Sequence, residues 1–210
     1  MELLVLAIIN LGIIIAINTF SKKCREEKTP ALKIYTILLS LSTLILVTVS
    51  FSKLYIYIWR FGLTRLRVLS AWAMAVIGIV FLIIILKQFI GKLPVIRAIV
   101  ICSVLMFAVL GFGRVDRQIA RFNIEMYKAG YHKELDVWYL IYDLNDDALV
   151  YILENNEVKT LQNAKQPSRW YIEDVHQSIM WQLEYRDEYS FYNLSSAKLK
   201  KYVPEEEQTD

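Results

Sequence analysis

A chain of 210 residues with 56% hydrophobic residues, 21% charged residues and a formal net charge of +3 is too apolar for an ordinary soluble domain of this size. The mean hides two unlike halves: up to Gly113 there are 12 Lys+Arg against 3 acids, net +9, and from Arg114 onward 12 against 18, net −6. Two cysteines, Cys24 and Cys102, lie in unlike surroundings and suggest neither a disulfide nor a metal site.

Uncharged runs at 3–21, 34–52 and 68–86 are each long enough, at a helical rise of about 1.5 Å per residue, to cross a hydrocarbon core of about 30 Å. A fourth run, 98–113, reaches that length if it borrows 93–96 and Arg97 snorkels. The first lacks the basic start and cleavage site of a signal peptide, so it is a retained helix. These runs predict an all-α fold: a four-helix polytopic transmembrane region over 1–113, with helices at about 3–21, 31–61, 64–88 and 93–113.

The loop 22–28 is basic, and Pro30 suits the first turn of the second helix. That helix runs past its apolar core into Tyr55, Tyr57 and Trp59, aromatics that favour the headgroup layer and mark its exit. Gly62 is placed to be the left-handed residue after the helix and Thr64 to be the N-cap of the next, giving a tight antiparallel turn. Gly111 and Gly113 break the fourth helix.

From Arg114 to residue 203 the pattern predicts a helical acidic juxtamembrane tail, and 204–210 has the composition of disorder. Asp116 is the expected cap of an amphipathic helix with Ile119, Phe122 and Met126 on its apolar face, stopping at Gly130. Asp136 starts a second helix, and Asn145, Asp146 and Asp147 a third with Leu149, Ile152 and Leu153 inward. A last, longer helix is expected over about 168–185.

Several pieces, in this order and spacing, resemble the C-terminal part of a bacterial polytopic family known as domain of unknown function 4173, related to 4153. They are Tyr57, Gly62-Leu63-Thr64 and Arg67; Ile119-Ala120 with Asn123-Ile124; Leu135-Asp136 with Tyr139-Leu140; Asp147-Ala148; and Asn193-Leu194-Ser195. The resemblance marks Tyr57, Gly62, Thr64, Arg67, Asn123, Asp136, Tyr139, Asp147 and Asn193 as family-motif positions. Residues 2–10 resemble the middle of such a protein, which implies a chain truncated at its N-terminus. Lys53, Leu149-Val150 and Tyr189 depart from the family pattern of Arg, Val-Pro and Trp. The resemblance implies an architecture and brings no reaction with it.

Lys53, Arg60, Arg65 and Arg67 gather around the predicted turn and are the candidate site for lipid phosphate or for docking the acidic tail. Arg60, Thr64 and Arg67 would share one face only if the helix continued through Gly62. At mid-depth the runs carry Asn10, Asn18, Ser40, Ser42, Thr43, Thr48 and Ser50 and no ionisable side chain, which argues against coupled transport by this piece alone. These small polar residues are expected to bring helices close. His132 and His176 lack metal-site spacing, Asp136, Asp143, Asp146 and Asp147 miss the calcium-loop pattern, and no nucleotide-binding glycine loop or nucleophile elbow occurs. Catalytic, cofactor and metal residues are therefore expected to be none, with the lipid bilayer, other membrane helices or an upstream part of the same protein as partners, and no nucleic acid.

Eight Lys and Arg flank the helix ends on each side, so charge alone does not orient the chain; the dense 22–28 loop favours a cytoplasmic location for itself and an extracytoplasmic tail. The expected function is a non-catalytic sensing, regulatory or assembly module in the cell membrane. Part of a transporter or channel is the alternative, and a membrane-bound enzyme comes third.

Overall fold

The computed structural model describes residues 9, 10, 12, 13, 30–90, 94–167, 171–184 and 194–202. All regular structure among them is helical, with no strand. Among the described residues three helices are long and apolar enough to cross a membrane: α1, Pro30–Phe61; α2, Arg65–Phe89; and α3, Val95–Phe112. The expected span 3–21 lies outside the described residues apart from Ile9, Asn10, Gly12 and Ile13, which are helical, and so do the 22–28 loop and the end 204–210.

The chain divides into two compact units, one comprising Met1–Tyr57 and Leu66–Gly113, the other Ile58–Arg65 and Arg114–Asp210. In the first, α1 lays a stripe of Thr36, Ser40, Thr43 and Val47 inward at helical spacing, all buried. Val47 meets α2 at Gly78, where an added Cβ would be 3.7 Å from Val47 Cγ1. Phe81 and Ile84 of α2 form the buried centre, against Leu39 and Leu44 of α1. Hydroxyls of Ser42, Thr43, Thr48, Ser52 and Ser70 donate to carbonyls three or four residues back, 2.8–3.0 Å away. Without water, a polar side chain must find a partner within the protein, and its own helix is the nearest source. Asn10 Nδ2 also donates to Thr43 Oγ1 at 2.9 Å. α3 buries none of its apolar window, although Trp72 donates its indole N–H to the Met106 carbonyl at 3.0 Å and stacks edge-on against Phe107.

The second unit is built from shorter elements: α4, Val115–Lys128; a π-helical turn, Tyr139–Asp143; α5, Asp146–Glu154; α6, Val158–Gln162; α7, Val175–Glu184; α8, Leu194–Leu199; and a 3₁₀ turn, Lys200–Tyr202. α5 is the centre: Ala148 to Ile152 are all buried, and it packs on α4 and α8. α4 ends as expected at Gly130, with φ +76° and the two bonds of a Schellman motif, Gly130 N–H to the Tyr127 carbonyl and Tyr131 N–H to the Met126 carbonyl. Asn156, with φ +53°, closes α5 the same way.

Three sequence expectations are corrected here. Asp116 is not the cap of α4: Arg114, at φ +45°, holds the cap position and Asp116 is buried in the first turn. The buried face of α4 runs through Asp116, Ile119, Ala120 and Ile124, not through Phe122 and Met126, which are half-buried. The last long helix starts at Val175, with 171–174 outside it and 168–170 not among the described residues; Asp174 caps it, its carboxylate accepting the Gln177 N–H at 2.9 Å.

Candidate functional site

Within the second unit, the turn between α1 and α2 is gripped by side chains of the tail. Gly62 has φ +78°, the left-handed conformation that any side chain would strain, and an added Cβ would stand 2.8 Å from Asn123 Oδ1. That close approach lets Asn123 of α4 bond the neighbouring peptide at both ends. Its Oδ1 accepts the Leu63 N–H at 2.7 Å and its Nδ2 donates to the Leu63 carbonyl at 2.8 Å.

Two residues on, Arg65 opens α2. Its backbone N–H, one of the donors a helix start leaves without an internal partner, donates to the Tyr139 hydroxyl at 2.7 Å. Its guanidinium forms a two-pronged pair with Asp116, Nε to Oδ1 at 3.0 Å and Nη2 to Oδ2 at 2.8 Å. Asp136 in turn fixes Tyr139 by accepting its backbone N–H at 3.0 Å. Burial pushes the Tyr139 phenol up, outweighing Arg65, so it stays a neutral hydroxyl.

His132 stands beside the same turn, its Cε1 3.5 Å from where a Gly62 Cβ would be. Among the described residues its Nε2 is buried with no partner, and burial lowers its basicity.

Of the four basic candidates, Arg65 is thus joined to the tail and Arg60 lies over the Phe61 ring at 5.9 Å. Lys53 and Arg67 belong to the other unit, where Arg67 stands over the Tyr57 ring at 5.2 Å. The helix breaks between Phe61 and Arg65, so Arg60, Thr64 and Arg67 do not share a continuous helical face. Gly62, Asn123, Asp136 and Tyr139, which the resemblance marks, all stand about the one turn, and Thr64 sits in it. Asp147 lies elsewhere, accepting the Ser195 hydroxyl with Arg114 3.9 Å away, while Asp146 accepts the hydroxyl of Ser196. Asn193 lies outside the described residues.

A family model described as a domain of unknown function, DUF4153, matches residues 1–155. The chain belongs to this family. No curated protein and no solved structure matches it. The DUF4153 match contains the whole grip on the turn, from Gly62 through Asp116 and Asn123 to Tyr139, and ends just after α5. Among the described residues of this DUF4153 chain no three His, Cys, Asp or Glu side chains gather as metal ligands do. Sequence reasoning singled out Asn123 and Tyr139 but missed their target, and it gave Asp116 a local role. An acid in the same helical stripe as Ala120 and Ile124 was the available signal, since a buried carboxylate calls for a cationic partner.

Proposed function

We propose that this DUF4153 chain is a multi-pass, non-catalytic sensing, regulatory or assembly module of a bacterial membrane protein, akin to the 4173 relatives, with its tail on the extracytoplasmic side. In this reading the tail is a helical domain docked on the turn between two spans, so that a change in the tail is felt at the ends of α1 and α2. The observation that carries it is the Asn123 and Asp116 grip on Leu63 and Arg65. Asn123, Arg65, Asp116, Tyr139 and Asp136 are spent on backbone and ion-pair contacts around the turn, an arrangement suited to holding a geometry. The exposed outer face of α3 supports assembly with further membrane helices.

Limited proteolysis of the full chain in proteoliposomes tests the docking. Asp116→Arg and Arg65→Asp should each speed tail cleavage, and the double exchange should slow it again. Cleavage unchanged in both single variants sinks the reading. Solute flux through the same proteoliposomes would favour the transporter class instead.

A further inference from the structure

The second unit places an aromatic and basic surface at the end of α1. Trp59 and Tyr131 stack with ring centroids 5.1 Å apart, and both are exposed, as is Phe61. The Schellman motif after α4 fixes where Tyr131 leaves the helix, directly before His132 and the exposed Lys133. The nearby acids are engaged: Glu134 pairs with Lys165 at 3.1 Å, and Asp136 accepts the Tyr139 N–H.

The depth of this surface follows from the two helices that flank the turn. Arg67 over Tyr57 and Gly78 against Val47 set one antiparallel register between α1 and α2. The uncharged stretch of α2 begins at Val68 and that of α1 ends at Ser52, so the hydrocarbon boundary crosses the pair between the level of Lys53 and that of Arg67 and Tyr57. Trp59 lies two residues beyond Tyr57, about 3 Å further out at helical rise, within the layer that Trp and Tyr favour.

We propose that Trp59, Tyr131, Phe61, Arg60 and Lys133 form a seat in the lipid headgroup layer, holding the loop after α4 against the bilayer surface, with Arg60 and Lys133 toward headgroup phosphates. The occupant is the bilayer that α1 and α2 cross. The inference rests on the spanning role of those helices and not on the Arg65–Asp116 pair.

Site-directed spin labelling of the full chain in phosphatidylglycerol and phosphatidylcholine vesicles tests it. With Cys24 and Cys102 replaced by Ser, nitroxides are attached at Lys133→Cys, at Lys159→Cys on α6 and at Leu46→Cys in the middle of α1. Collision with a water-soluble nickel chelate should be several-fold lower at 133 than at 159, and lower still in phosphatidylglycerol. The label at 46 should collide mainly with oxygen. Equal chelate access at 133 and 159, with 46 immersed, overturns the seat and leaves the spanning helices standing. Chelate access at 46 overturns the spanning reading itself. Adding Tyr131→Ala should raise chelate access at 133, and no change would count against the aromatic pair as the anchor.

Discussion

The two units direct their side-chain hydrogen bonds in opposite ways. Around α1 and α2, hydroxyls such as those of Thr48 and Ser52 turn back on their own helix, and α1 meets α2 mainly through Val47, Gly78, Phe81 and Ile84. In the tail, carboxamides reach across to backbone that is not their own. Asn123 takes both ends of Leu63; Gln166 takes both ends of Ile172 at 2.8 and 2.9 Å; Gln162 accepts from the Val175 N–H at 2.8 Å and donates to the Glu173 carbonyl at 2.7 Å. Helices of five to fourteen residues, as here, are marginal alone. The tail therefore needs its connections fixed, while a helix in lipid has already met its backbone needs. One unit should be sensitive to polar deletion and the other nearly indifferent.

Asn123→Ala should give the largest effect. It leaves a half-buried N–H and C=O on Leu63 without their partner, at a cost of roughly 2–3 kcal/mol. Thermal unfolding of the detergent-solubilised chain, followed by circular dichroism, measures it. Gln166→Ala, a buried clamp remote in sequence from the turn, should match it within about a factor of two. Asn123→Ala with the stability of the parent would break the comparison at its main point.

Gly62→Ala should cost about 1–3 kcal/mol, by forcing a side chain into the left-handed region and by crowding the Asn123 oxygen 2.8 Å away. In an Asn123→Ala background the crowding disappears and only the backbone part should remain, so the two effects should be less than additive. Tyr139→Phe removes one acceptor from the start of α2 and should cost about 0.5–1.5 kcal/mol.

How much of this was legible in the sequence divides along the same line. The long apolar helices were, because hydrocarbon length is written in the spacing of charges: three of the apolar runs, now α1, α2 and α3, are helices long enough to span. Gly62 was legible as a left-handed stop and Gly130 as a helix end, since a glycine after a helical pattern has few other uses. The short helices α6 and α8 were missed, as five or six residues carry too little periodicity to stand out. The grip on the turn was half legible. Asn123 and Tyr139 stood out through the family resemblance, but their partners are backbone groups of Leu63 and Arg65, which every sequence possesses and none advertises. Asp116 was misassigned because an acid in a first turn satisfies the local capping rule equally well.

His132 offers a smaller test by pH. Burial sets its folded basicity below the ordinary value of about 6.5, so the folded chain favours the neutral ring. The stabilisation from keeping it neutral is complete above about 6.5 and is lost as pH falls through the lowered value, since the unfolded chain takes up the proton first. Melting temperature should drop across that window in the parent and less in His132→Gln. Equal slopes in the two would remove His132 from the account of the turn. Glu154 sits between Lys198 and Arg117, whose pull outweighs the opposing effect of burial and lowers its protonation range; its contribution fails only at more acidic pH.

The smallest expected effect sharpens the comparison from the other side. Thr48→Val exchanges a hydroxyl that bonds the Leu44 carbonyl at 2.9 Å for a methyl of nearly the same shape, on an exposed face of α1. The carbonyl it leaves still has its helical N–H partner, and the valine is at ease in lipid, so the change in stability should stay within about 0.5 kcal/mol. The same exchange at Thr43 differs in one respect, because that hydroxyl also accepts the Asn10 amide at 2.9 Å. Thr43→Val strands a donor in a region without water and should cost about 0.5–1.5 kcal/mol. A Thr48→Val loss as large as that of Asn123→Ala would mean that α1 relies on hydroxyls to hold neighbours, and the two units would then differ in degree rather than in kind.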